Sequence, residues 1–118
     1  MSQELEERFL SFAKRVRDFC RTIKWDVINV QYIKQLIRSS SSIGANYIEA
    51  SDDLGKQDEI MKIRISRREA KESIYWLKLI SNSESKQVEE ERMNLIDEGN
   101  QIQKILSSIL IKLNNKIQ

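Results

Sequence analysis

Between Lys62 and Lys71 the chain carries Lys62, Arg64, Arg67, Arg68 and Lys71 against a single acid, Glu69. Cations so clustered suit contact with phosphates, which is carried by Lys and Arg and is indifferent to base sequence. The same run also suits a solvated helix face. A second candidate lies upstream, where Arg38 immediately precedes Ser39-Ser40-Ser41-Ser42, hydroxyls and a guanidinium that could cradle an anion. Glu69 and Glu72 form one Glu-x-x-Glu, half of the carboxylate set that an all-helical Mg²⁺ site needs, but Asp97 is followed three residues later by Asn100 and supplies no second half. With no His in the sequence, the serines have no imidazole to activate them and no His-containing Zn or di-iron site can form. Cys20 is the one Cys, so no intrachain disulfide exists. These residues predict no enzyme, no metal and no cofactor.

The elements that must position these groups are helices. The 118 residues include no Pro and three Gly, and apolar residues recur at intervals of three and four almost throughout. Leu5, Phe9, Phe12, Val16, Phe19 and Ile23 form one seam of a helix over about 3–23. The segment Lys24 to Asn29 breaks the period, and Asn29 is a suitable cap for a second helix over about 30–50. Ser51-Asp52-Asp53-Leu54-Gly55 reads as a loop, after which Asp58 and Glu59 face the positive end of a third helix over about 56–80. Ser81-Asn82-Ser83-Glu84-Ser85 offers several N-caps, with Ser81 and Glu84 matching a capping box, before a fourth helix over about 85–116, whose seam runs through Val88, Leu95, Ile102, Leu106 and Leu113 toward Ile117. Gly99 inside it weakens the helix by about 1 kcal/mol relative to Ala. Four long helices with short connections predict one all-α domain over 1–118, an antiparallel up-down-up-down four-helix bundle.

Two departures from the pattern single out further residues. Ser39 to Asn46 is a strip of small side chains in helix two, suited to a tight helix crossing with Asn46 in a buried hydrogen bond. In helix three, the seam Ile60, Ile63, Arg67, Ala70, Ile74 and Leu77 puts Arg67 where an apolar residue belongs. Paired with Glu49, Glu69 or Glu72, it would join Asn46 and Tyr75 in an internal polar network; otherwise it lines a groove or a subunit interface beside Arg64 and Arg68. Tyr75, Trp76 and Trp25 suit core packing, and equally base stacking or an interface anchor.

The string Ser42-Ile43-Gly44-Ala45-Asn46 followed by Glu49-Ala50, and the block Arg68-Glu69-Ala70-Lys71-Glu72 leading into Tyr75-Trp76-Leu77, resemble the bacterial four-helix-bundle family also called the 23S rRNA intervening-sequence protein family. The resemblance spans nearly the whole chain. It implies a left-handed four-helix bundle that assembles into a homopentamer and has no established catalytic activity. The related accessory variability determinant of diversity-generating retroelements forms basic pentamers that bind nucleic acid and a reverse transcriptase. Against the family pattern, Arg64 and Arg67 replace smaller or apolar residues, and Glu59 stands where an aromatic is common.

The function expected is therefore a non-enzymatic homo-oligomer that binds nucleic acid, whether RNA, DNA or a nucleoprotein, through Arg38, Lys62, Arg64, Arg68 and Lys71. The alternative is a protein-interaction scaffold with an apolar anchor such as Trp25 or Trp76. The charge balance, 20 Lys plus Arg against 18 Asp plus Glu, names no partner, and a pI near 8.7 is only mildly basic. The longest apolar run, Ile74 to Leu77, is far short of the roughly 20 residues of a membrane span, and nothing resembles a secretory leader, so a cytoplasmic protein without a membrane partner is expected.

Overall fold

A computed structural model describes residues 2–52 and 54–117. Asp53 of the expected loop lies outside the described residues, as does the side chain of Ile117. Four helices run α1 (Gln3–Arg21), α2 (Val27–Glu49), α3 (Lys56–Leu79) and α4 (Lys86–Ile117). They form the expected up-down-up-down bundle, 51 × 23 × 21 Å, whose length is that of α4 at about 1.5 Å per residue. In it α1 packs on α2 and α4, and α3 packs on the same two, so α1 and α3 are diagonal.

Local chemistry starts and stops each helix. Ser2 caps α1, its Oγ accepting from the Leu5 amide at 3.2 Å, while its own amide donates to the Tyr47 hydroxyl at 2.9 Å. The start of α2 differs from the sequence expectation. Asp26, not Asn29, caps it, accepting from Ile28 N and Asn29 N at 3.1 and 2.8 Å, so the helix begins at Val27. Asn29 is buried and bridges two turns: Nδ2 donates to Lys24 O at 3.0 Å and Oδ1 accepts from Ser81 N at 3.1 Å. Gly55 opens α3 at φ 106°, a conformation costly for any other residue, with Asp58 and Glu59 in the first turn as expected. The Ser81–Glu84 capping box does not form. Ser85 Oγ accepts from Val88 N at 3.3 Å instead, and Glu89 reaches back to the Ser83 amide at 3.0 Å.

The core is one cluster. Phe9, Phe12, Val16 and Phe19 from α1 meet Ile33, Leu36, Ile43 and Tyr47 from α2, with Ile63, Ala70 and Leu77 from α3 and Leu95, Ile102 and Leu106 from α4. Each large side chain contributes about 1.5–3 kcal/mol by leaving water. A Cβ on Gly99 would lie 2.8 Å from Ile74 Cγ1, so the glycine that costs α4 helix propensity permits the close approach of α3. The α1–α4 seam is closed by Arg8 on Glu98 and Arg15 on Glu91, each guanidinium donating to both carboxylate oxygens.

One charged side chain is buried where the fourth seam passes from Val88 to Leu95. Arg92 is 4% exposed and donates to the carbonyls of Leu77, Ile80 and Ser81, the latter two at 2.7 Å each, satisfying the open end of α3. Glu89 accepts from its Nε at 3.1 Å.

Candidate nucleic-acid interface

Because α3 packs against two neighbours, its inward positions are Ile60, Ile63, Ser66, Glu69, Ala70, Ser73, Ile74 and Leu77. Beyond its first turn, its exposed positions are Met61, Arg64, Arg68, Lys71, Tyr75, Lys78 and Leu79. Arg64, Arg68, Lys71, Tyr75 and Lys78 succeed one another at intervals of four, three, four and three, which is one line along a helix face. At 1.5 Å per residue it extends about 21 Å. None of these exposed positions is an acid.

The acids of the region are turned aside and engaged. Glu69 is buried, and its Oε2 accepts from Arg38 Nη1 at 2.9 Å; Glu72 Oε2 accepts from Arg38 Nη2 at the same distance. Gln35 takes the remaining Arg38 Nε–H at 3.1 Å. Partial burial pulls the Arg38 pKa down, but the hydrogen bonds to Glu72 and Glu69 hold it above its ordinary value. Lys62 Nζ sits 2.8 Å from Glu49 Oε2, which raises its pKa, and Lys56 sits 3.3 Å from Glu59. Two of the five expected phosphate ligands, Arg38 and Lys62, are thus committed to α2–α3 ion pairs. Arg64 and Lys71 have no carboxylate within 4.0 Å among the described residues, and Arg68, largely exposed, has only Glu69 at 3.6 Å. Lys78 extends the line and was not expected; its signal was the spacing from Lys71 and Tyr75.

The expected polar network is replaced by another. Arg67 is half-buried at the α3–α4 seam, donating to Ser107 Oγ at 3.5 Å, and touches none of Glu49, Glu69 and Glu72. A helix turns about 100° per residue, and Ser66 and Ala70 fill the seam that spacing assigned to Arg67. Asn46 is partly buried and bonds Ser42 O in its own helix at 2.9 Å, rather than a neighbour. Glu49 is exposed on the surface with Lys62, and Tyr75 is 58% exposed. The buried polar contacts belong to serines. Ser39 and Ser73 hydroxyls meet at 2.8 Å across the α2–α3 crossing, Ser73 donates to Glu69 O at 2.8 Å, and Ser66 donates to Ile43 O at 2.7 Å. The tight crossing expected of the small-residue strip is present, and with Ser39 and Ser40 buried in it they do not face an external anion.

The aromatic residues divide. Trp76 is half-buried, stacked on Tyr32 with centroids 6.2 Å apart and planes 24° apart, and Tyr75 stands edge-on to Trp76 at 5.4 Å and 69°. Trp25 is 58% exposed at the α1–α2 turn, its indole N–H held by Cys20 O at 2.9 Å. Among the described residues, no three His, Cys, Asp or Glu gather as a metal site would require, and no helix is long and apolar enough to cross a membrane.

Comparison with known proteins agrees with the fold. The family described as 23S rRNA-intervening sequence protein matches residues 3–108. A crystal structure of a protein of unknown function from the S23 ribosomal protein family of Bacteroides thetaiotaomicron VPI-5482 is 32% identical in sequence. It superposes with a TM-score of 0.72, over 89% of this chain and 96% of that one. Among curated proteins there is no match.

Proposed function

The chain belongs to the 23S rRNA-intervening sequence protein family, and on that footing we propose that it binds nucleic acid without catalysing a reaction, gripping phosphates through the outer face of α3. The observation that carries this is the line Arg64, Arg68, Lys71 and Lys78, four cations in register along α3 whose neighbouring acids Glu69 and Glu72 are taken up by Arg38. Ion pairing of Glu69, Glu72 and Glu49 on the α2 side keeps opposing charge off that face. Arg38 and Lys62 serve as ion-pair partners rather than phosphate ligands in this account.

A single patch of four cations binds weakly at physiological salt, so copies of the chain act together. The homo-oligomer, a pentamer by resemblance, multiplies the patch and raises avidity without any new contact. Self-association is supported by exposed Leu10, Ile37 and Ile48, which lie with Ala13, Gly44 and Ala45 along the α1–α2 face. Since α1 and α3 are diagonal, assembly on the α1 side leaves the α3 line outward. The test is binding of a structured RNA by the natural protein and by an Arg64→Glu, Arg68→Glu, Lys71→Glu variant of equal oligomeric mass. Loss of binding in the variant supports the proposal, and equal binding refutes it.

A second reading has its own observation. Trp25, Val27 and Ile28 are 58%, 84% and 64% exposed together at the α1–α2 turn, an apolar end that a protein partner could cover. Salt-insensitive capture of a partner, abolished by Trp25→Ala, would favour a scaffold.

A further inference from the structure

Tyr75 is out of place on the cationic line unless its ring is used. It interrupts Arg64, Arg68, Lys71 and Lys78 with a large amphipathic surface, more than half exposed, flanked by Lys71 one turn before and Lys78 one turn after. A ring placed there for the core would point inward, as Trp76 does next to it. A protein partner covering Tyr75 would have to bring acids of its own to pair both lysines, since Glu72 beside them is taken up by Arg38 at 2.9 Å. A nucleic-acid strand meets all three groups at once, phosphates on the lysines and a base on the ring.

We infer that Tyr75 is a base-stacking platform, which makes the ligand of the α3 face an unpaired strand or loop rather than a duplex. The inference rests on the nucleic-acid reading above and adds the class of nucleic acid. In a duplex the base faces are covered by their neighbours, so the ring would have nothing to stack on; a single strand or a loop presents them. The platform is also held in place. Tyr75 lies edge-on against Trp76 at 5.4 Å, and Trp76 is stacked on Tyr32 of α2, so the ring is braced across two helices before any ligand arrives. Little ordering remains to be done on binding. Its neighbours on the line supply charge without base specificity, so preference for unpaired bases and indifference to their sequence are expected together.

The experiment uses the full-length protein with three RNA probes of equal length: a short oligouridine, a matched duplex, and an abasic strand with the same phosphates. Tyr75→Ala is compared with Tyr75→Phe, and circular dichroism confirms that both fold, as the exposure of the site predicts. The oligouridine should bind more tightly than the duplex and the abasic strand. Tyr75→Ala should weaken oligouridine binding by about 5- to 150-fold and leave duplex and abasic binding within about twofold, and Tyr75→Phe should bind as the natural protein does. An oligodeoxythymidine arm separates the sources: Tyr75→Ala should weaken its binding as it weakens that of oligouridine, and the strand that the natural protein binds more tightly names the sugar. If single strand, duplex and abasic strand bind alike and Tyr75→Ala changes none of them, the platform is refuted while phosphate binding by α3 stands. If no probe binds the natural protein, the underlying reading fails and the inference falls with it.

Discussion

Replacing Arg92 with Met removes the charge while keeping a long apolar stem in the space beneath Phe19, whose ring centroid lies 5.6 Å from the guanidinium carbon. The carbonyls of Leu77, Ile80 and Ser81 then lose their donors at the closing turn of α3, and Glu89 loses its partner. Hydrogen bonds from a charged donor are worth about 1.5–3 kcal/mol each, so three of them sum to about 4.5–9 kcal/mol. That sum overshoots, because folding the natural protein must desolvate the guanidinium, and because water can reach the Ser81 carbonyl at the turn. Glu89 is partly exposed and adds less than about 1 kcal/mol. The net expectation is a loss of about 3–5 kcal/mol, a large part of the stability of a domain this size. Arg92→Lys should recover only part of it, since one ammonium lacks the planar fork that spans three carbonyls. Urea titration followed by circular dichroism measures both, with an unchanged denaturant slope confirming that the same surface unfolds. A loss below about 1 kcal/mol for Arg92→Met would refute the view that this residue closes α3.

Two glycines of the bundle should respond with opposite sign. At Gly44 an added Cβ meets Phe9 Cβ at 3.4 Å, so Gly44→Ala should gain up to about 1 kcal/mol of helix propensity, whereas at Gly99 the 2.8 Å approach to Ile74 should make Gly99→Ala destabilising by about 1 kcal/mol in the same titration. Burial pushes the Cys20 thiol up from 9.0 to about 11, so it should resist thiol reagents near pH 8 in the folded protein and react on unfolding. Glu89 is pulled up by burial, but the Ser83 amide and Arg92 outweigh that and leave its pKa below the ordinary 4.5. A depressed carboxylate stabilises above its unfolded pKa and loses that contribution as pH falls through the folded one, so stability should decline below about pH 4.5, and Glu89→Gln should flatten that decline.

Much of the bundle is legible in spacing alone. Phe9, Phe12, Val16 and Phe19 predict their own burial because a three-and-four repeat has one face to hide, and Gly55 marks the start of α3 because few residues tolerate its backbone. One failure comes from helix rotation, because spacing cannot tell which of two adjacent positions a rotated helix turns inward. Spacing puts Arg67 in the α3 seam beside Ala70, yet it is the adjacent Ser66 that is buried there. The seam cation is Arg92, which continues Val88, Leu95, Gly99 and Ile102 at intervals of four, three, four and three around it. Asn29 was readable as a polar residue near a helix start, but its use depends on Ser81, 52 residues away, which no local pattern reveals. The basic run was visible as composition. Its division into paired Arg38 and Lys62 and outward Arg64, Arg68, Lys71 and Lys78 required the placement of Glu49, Glu69 and Glu72.

The most direct test of the account is the salt dependence of oligouridine binding between about 50 and 200 mM salt. Each phosphate contact on a single strand contributes about −0.7 to the slope of log K against log salt, so four cations of one copy give about −2.8. Neutralising Lys71 by Lys71→Gln should reduce the slope by about 0.7 per engaged copy, and Lys62→Gln, whose charge is held by Glu49, should leave it unchanged. A slope near zero, or one that falls with Lys62→Gln and not with Lys71→Gln, would contradict the assignment of the α3 face to phosphates.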